Sequence, residues 1–251
     1  MEYIKKAWSK AAVADFDTHK QVLSEVSESA ADNILIVWPP VLRFIKQNLP
    51  VAGNGRDLQI LDYGCGTGSF ALELHNQFNA HVTGMDYSQG MIDTAKQYTG
   101  SNLTFELGDY RKIQSDKPFN IVTSIMALQF VPEPDIDSLF HAFSWAISDD
   151  GILVFAVFNP EWIDICLERR FLFTDLDSKK NPETCMMKLG EDKVPVCIRH
   201  PSDYGRIAES NGFVKIMQEF PEFTSDFLAL YPETRMPTEV AEFLIMGFRK
   251  N

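Results

Sequence analysis

An acid followed by glycines at alternate positions lies in Ile60-Leu61-Asp62-Tyr63-Gly64-Cys65-Gly66-Thr67-Gly68. Glycine allows a sharp backbone turn and close approach to a ligand. A helix starting after such a loop aims free N–H groups and the positive end of its dipole at the same point. Two phosphate-binding patterns fail here. A dinucleotide fingerprint begun at Gly64 needs glycine at position 69, which is Ser69, and the Gly-Lys-Ser/Thr ending of a P-loop is absent. Asp62, just before the glycines, suits a ligand carrying an ammonium group better than a pyrophosphate.

Two further acids follow at strand-end positions. In Gly84-Met85-Asp86-Tyr87-Ser88, Asp86 can accept two hydrogen bonds from ribose hydroxyls, with Met85 and Tyr87 placed to pack on a purine. Ser88 is the better residue to cap the helix that follows. In Leu107-Gly108-Asp109-Tyr110, Asp109 can accept from an adenine amino group while the next backbone N–H donates to a ring nitrogen.

The elements that must hold these residues alternate as a parallel α/β sheet requires. Strands are predicted at Gln59–Tyr63, His81–Asp86, Leu103–Leu107, Phe119–Ile125 and Gly151–Phe158, and helices at Gly68–Phe78, Gln89–Tyr98 and Ile136–Ile147. Several of these strands are continuous apolar runs, as expected where helices cover both faces. Residues 2–31 read as helical, and Pro39 and Pro40 open a further helix to about Asn48. After Pro160 the rhythm breaks: a helix over Glu161–Phe171 is followed by irregular chain to residue 200. It resumes with a helix Ser202–Asn211, a strand Phe213–Phe220 and a last strand near Val240–Arg249, the last two read as an antiparallel hairpin at the sheet edge.

The order Asp62-x-Gly64-x-Gly66-x-Gly68, then Asp86, then Gly108-Asp109, resembles the class I, Rossmann-like S-adenosylmethionine-dependent methyltransferases. The resemblance implies an α/β three-layer sandwich. Its mostly parallel seven-stranded sheet has the order 3-2-1-4-5-7-6, strand 7 antiparallel, with helices on both faces. It implies S-adenosyl-L-methionine as cofactor and S-adenosyl-L-homocysteine as product. Gly64, Gly66 and Gly68 would lie against the methionine part, Asp86 would bind the ribose, and Asp109 with Tyr110 the adenine, with Met91 nearby. Asp62, Tyr87 and Gly108 complete the cofactor set, and Met126 and Ala127, after the fourth strand, are candidate contacts. Asn120 stands where the family often has Asp, at the far end of its strand. One domain, 1–251, is expected: an N-terminal helical lid (1–50), a cofactor-binding core (51–159), a lid-like insertion (160–200) and a completion of the sheet (201–251).

The acceptor is narrowed by elimination. The Asn/Asp-Pro-Pro-aromatic motif of DNA-adenine and glutamine methylators is replaced by Ser124-Ile125-Met126-Ala127, and no Pro-Cys pair serves cytosine chemistry. No acid cluster suits a metal-dependent catechol-type site, so metal-independent transfer to a small organic acceptor is expected, at an N, O or C atom left open. Trp8, Phe16, Trp162 and Phe171 are candidate walls of an acceptor pocket, and His200 and His19 candidate general bases. Trp8-Ser9-Lys10-Ala11-Ala12, Asp15-Phe16-Asp17-Thr18-His19 and Ala127-Leu128-Gln129-Phe130 are similar to malonyl-carrier-protein O-methyltransferases, which gives a carboxyl-methylating alternative. A cofactor-binding protein without methyl transfer is the other.

The bulk properties fit. At 251 residues, 45% hydrophobic, the chain can bury a sizeable core. A net charge of −12 disfavours nucleic acid as a partner. The four cysteines show no metal spacing, and runs such as Ile152–Phe158 are too short to span a bilayer, which points to a reduced, cytoplasmic protein without a membrane partner.

Overall fold

Seven strands form the central sheet of the computed structural model, which describes residues 2–14, 27–49, 58–114 and 117–251. Helix α1 (Glu2–Ala14) comes first, then α2 (Glu28–Asp32), a π-turn over Asn33–Val37 and α3 (Trp38–Asn48), which run on without a break. The helix therefore starts ahead of Pro39 and Pro40. The π-turn has already widened the hydrogen-bond ladder that these prolines would otherwise interrupt.

The alternating core then runs β1 (Gln59–Tyr63), α4 (Ser69–Phe78), β2 (His81–Asp86), α5 (Gln89–Ala95), β3 (Leu103–Leu107), β4 (Phe119–Ile125), α6 (Asp135–Ala146) and β5 (Ile147–Phe158). Strands β1 to β5 pair in parallel: Ile60 faces Val82 on one side and Ile121 on the other. Asn120 fixes the start of β1, its Oδ1 accepting from the Gln59 N–H at 2.9 Å. Successive strand residues serve opposite layers. Ile60, Ile121 and Val154 pack with α3, α4 and α5, whereas Leu61, Val122 and Phe155 pack with α6 and, across the sheet, α8 (Pro201–Ser210).

The chain between these halves departs from the expected irregular insertion. Helix α7 (Pro160–Glu168) leads into a three-stranded antiparallel sheet, β6 (Phe173–Asp177), β7 (Glu183–Leu189) and β8 (Asp192–Ile198). The signal was present. Cys185, Met187 and Leu189 alternate with more exposed residues, as do Val194, Val196 and Ile198, and Gly190-Glu191 supplies the turn. Pro195 sits on β8, an edge strand, where a missing N–H is tolerated.

After α8 come β9 (Phe213–Glu219), α9 (Ser225–Leu230) and β10 (Phe243–Lys250). The sheet order is β3-β2-β1-β4-β5-β10-β9, with β10 antiparallel to both neighbours. Counting β9 and β10 as sixth and seventh strands, this is the 3-2-1-4-5-7-6 order. The last two strands pair as expected, but no tight hairpin joins them. Their link carries α9, and β10 slots between β5 and β9.

Candidate active site

The carboxyl ends of β1, β2, β4 and β5 open onto a cavity of about 500 Å³. Ligands in open α/β sheets bind outside these ends. β1 delivers Asp62, which is 1% exposed. Its Oδ1 accepts from the Thr123 hydroxyl on β4 at 2.8 Å, while Oδ2 has no partner. Burial pushes this carboxyl up to about 7, against the pull of the Thr123 hydrogen bond, and the nearby Asp86 charge adds to the rise. An unpartnered buried acceptor on the cavity wall calls for a donor, and a cationic one answers its charge as well.

The loop after β1 stays against the end of β2. The Gly64 N–H donates to the Met85 carbonyl at 2.7 Å. Gly64 has φ +73°, and a Cβ there would fall 2.3 Å from Ala127 Cβ, so only glycine lets the two loops meet. Gly68 has a different task. A Cβ there would strike the Phe105 ring at 2.8 Å, and Gly68 lies off the cavity wall, so it serves the packing of α4 on β3.

β2 delivers Asp86. Its Oδ1 accepts from the Ser88 N–H at 2.8 Å and its Oδ2 from the Gly66 N–H at 3.1 Å. Burial raises this carboxyl to about 6, while those N–H groups pull it down. The Tyr87 N–H also bonds this carboxylate, so three of its four acceptor sites are taken and one is left for a ligand. Tyr87, Met91 and Gly108 line the same end. Met126 holds φ +55°, a left-handed conformation rare outside glycine, and its N–H donates to the Ala156 carbonyl at 2.8 Å. Strain of this kind concentrates at functional sites. Met126 and Ala127 both line the cavity.

Asp109 and Tyr110 directly follow Gly108 of the cavity wall and act on Tyr63 of that wall. Neither lines the cavity. Arg111 grips the Asp109 carboxylate, Nε at 3.0 Å and Nη2 at 2.5 Å, and holds it below the usual carboxylate range. The Tyr110 hydroxyl donates to Asp135 at 3.3 Å.

The other end of the cavity is walled by Trp8, Trp38, Phe130, Phe158 and Phe171. Trp8 meets Phe130 edge-on at 5.0 Å. α1 runs across the cavity from that contact to a crossing with α5 beside Asp86 and Tyr87, where Lys5 lies over the Tyr87 ring. The hydroxyls of Ser9 and Ser88 are 2.9 Å apart, and the Gly90 N–H donates to Ser9 Oγ at 3.2 Å. Lys10 pairs with Asp192 at the start of β8, which ties α1 to the small sheet. From that sheet Met187, Lys188 and Leu189 reach the cavity.

Trp162 does not. It is fully buried, parallel to Phe158 at 5.7 Å, and its indole N–H donates to the Pro237 carbonyl at 2.9 Å. Its place is in the core beneath the cavity wall. His200 is exposed at the start of α8, away from the cavity, where its N–H donates to Asp203 at 3.1 Å. Phe16 and His19 lie outside the described residues.

Sequence reasoning missed Glu28, Asp32, Gln129 and Glu242, all on the cavity wall. Asp32 and Glu242 are 3% and 2% exposed. Each stands close before an apolar run, Ile34–Val37 and Phe243–Met246, a placement that marks an acid entering the core. Among the described residues, no group of three or more His, Cys, Asp or Glu side chains is disposed to hold a metal ion, and no helix is long and apolar enough to cross a membrane.

A family model described as a methyltransferase domain matches residues 60–151. A malonyl-[acyl-carrier protein] O-methyltransferase of Bacillus anthracis is 33% identical over 108 residues, 41% of this chain and 39% of that protein. A ubiquinone biosynthesis O-methyltransferase of Coxiella burnetii is 31% identical over 183 residues, 70% of each chain. The chain thus spans less than half of the first relative and more than two thirds of the second. A crystal structure of an S-adenosylmethionine dependent methyltransferase from Mesorhizobium loti superposes with a TM-score of 0.63 at 22% identity, covering 84% of this chain and 96% of that one, a likeness of fold.

Proposed function

Because this chain belongs to the class I S-adenosylmethionine-dependent methyltransferases, we propose that it transfers the cofactor's methyl group, without a metal, to a small organic acceptor. What carries this reading is Asp62: a buried carboxylate with one oxygen unpartnered, set beside a glycine loop and Asp86 on one cavity wall.

The residues present fit the cofactor. Asp62 Oδ2 would accept from its amino group and Asp86 from a ribose hydroxyl. Gly64 and Gly66 leave backbone room for the chain between, and Tyr87, Met91 and Gly108 would frame the base. When bound, S-adenosyl-L-methionine supplies a methyl group already activated by its cationic sulfur. The protein's own work is then to hold an acceptor at the aromatic end of the cavity and keep water out. Trp8, Phe130 and Phe171 wall that end, and α1 and the small sheet cover it. A dedicated base is not required by this chemistry, and His200 is not among the residues that line the cavity.

The names of the relatives favour a second reading, carboxyl O-methylation of a malonyl-carrier protein. The acids Glu28, Asp32 and Glu242 on the cavity wall weigh against it, since a carboxylate acceptor would bring further acceptor oxygens to a wall that already carries unpartnered ones. The test is transfer of labelled methyl from S-adenosyl-L-methionine to a panel of small amines, alcohols, phenols and carboxylic acids, with and without chelator. Labelled product that persists in chelator is expected. Slow hydrolysis of the cofactor with no acceptor methylated would contradict the reading.

A further inference from the structure

We propose that the acceptor carries a basic nitrogen on a mainly apolar body, and that this nitrogen docks as a cation against Glu242 and Asp32, with Glu28 beside them. The inference rests on the methyltransferase reading for what then happens to the acceptor, but the cation site stands on its own geometry.

The cavity wall is crowded with acceptors and short of donors. Glu242 is 2% exposed and its Oε2 has no partner. Gln129, from the loop after β4, is also 2% exposed; its Nε2 donates to the Met126 carbonyl at 3.0 Å, which leaves Oε1 without a partner. Glu28 contributes a third buried oxygen without one. Among the described residues of the wall, Lys188 is the cationic side chain, and its ammonium is turned to the Arg170 carbonyl at 3.1 Å. Buried acceptors left unmatched are costly, and buried carboxylates are normally paired.

These acids are held in place. The Asn159 N–H donates to the Glu242 carbonyl at 2.8 Å and Asn159 Nδ2 to the Ala241 carbonyl at 2.9 Å, which clamps the start of β10 to the end of β5. Asp32 is fixed by the backbone and side chain of Asn33. Burial pushes both carboxyls up, and the Asp32 and Glu28 charges add to the rise at Glu242. A cation beside these carboxyls favours their ionised form and so opposes that penalty.

The chemistry then selects among acceptors. An ammonium brings three donors and a positive charge to a site that lacks both. A hydroxyl brings one donor and no charge. A carboxylate brings further acceptors and like charge. Trp38 and Phe158 supply an apolar surface, and the faces of such rings attract cations.

Calorimetry on the full chain saturated with S-adenosyl-L-homocysteine can separate these cases with three probes of one shape: phenethylamine, 2-phenylethanol and phenylacetate. Phenethylamine should bind at least about tenfold more tightly than the alcohol, and phenylacetate more weakly still. Glu242→Gln should abolish the preference for the amine while leaving the affinity for S-adenosyl-L-homocysteine within about twofold. Asp32→Asn is the second variant if Glu242→Gln fails to fold, and melting curves of both decide that point. Equal affinity for the three probes, no binding of phenethylamine up to its solubility limit, or an amine preference that survives in the folded variant would overturn the proposal. Failure of S-adenosyl-L-homocysteine to bind would instead strike the methyltransferase reading, and the probes titrated into the bare protein would still decide the cation site.

Discussion

Asp62 is asked to stay buried and to hold a charge, and its proton is the term that adjusts. In the unliganded protein burial raises the carboxyl from 3.8 to about 7. The stability that this proton contributes is complete below 3.8 and lost as the pH rises through about 7. A ligand ammonium favours the ionised form, so binding below that pH expels the proton. Affinity for S-adenosyl-L-homocysteine should therefore climb as pH rises from about 5.5 and level off above about 7.5, by at most roughly tenfold per unit. Asp86 titrates lower, at about 6, so the slope near neutrality belongs to Asp62. Calorimetric titrations across this range should lose that slope in Asp62→Asn, and a flat wild-type profile would contradict the assignment. At this scale the sequence was legible where adjacent residues make the pattern, as around Asp62 and Asp86. It was not where the contact is made in space. Nothing near Asp109 announces that Arg111 will take its carboxylate, and Glu28, Asp32 and Glu242 meet only because α2 and β10 converge at one end of the sheet.

Elements divide by how local their cause is. β1 to β4 fall at the expected bounds because each is a short run between turn residues, and their apolar character is dictated by helices on both faces. The sheet β6–β8 was hidden because half its pattern is cross-strand. The small sheet and α7 also separate two aromatic residues that look equivalent in sequence. Trp162 is packed among Phe158, Phe171 and Phe173, with its N–H satisfied, whereas Phe171 is partly exposed and faces the cavity. Trp162→Ala should cost about 3–5 kcal/mol in chemical denaturation. Phe171→Ala should cost little stability and raise the acceptor KM several-fold, with cofactor affinity unchanged. Steady-state kinetics and calorimetry on the two variants check this, and the reverse division would remove the small sheet from the acceptor site.

Over the whole molecule, one sheet does two jobs with its two kinds of ends. The carboxyl ends of its parallel strands carry Asp62, Asp86 and the Met126 turn, while β10, running the other way, brings Glu242 to the same mouth at its amino end. This antiparallel insertion lets the last strand complete the sheet and carry Glu242 and Phe243 onto the cavity wall. The strand order followed from the family resemblance; the role of β10 at the site did not, since it depends on which end of a reversed strand faces the cavity. The net charge of −12 further favours a cationic cofactor over polyanionic partners. The central claim is that this cavity binds S-adenosyl-L-methionine through Asp86, among others. Isothermal titration of the wild-type chain and Asp86→Ala with the cofactor tests it most directly. The wild type should bind one equivalent, and a folded variant should bind at least about tenfold more weakly, since charge-assisted hydrogen bonds are lost. No binding by the wild type, or equal affinity in the two proteins, would contradict it.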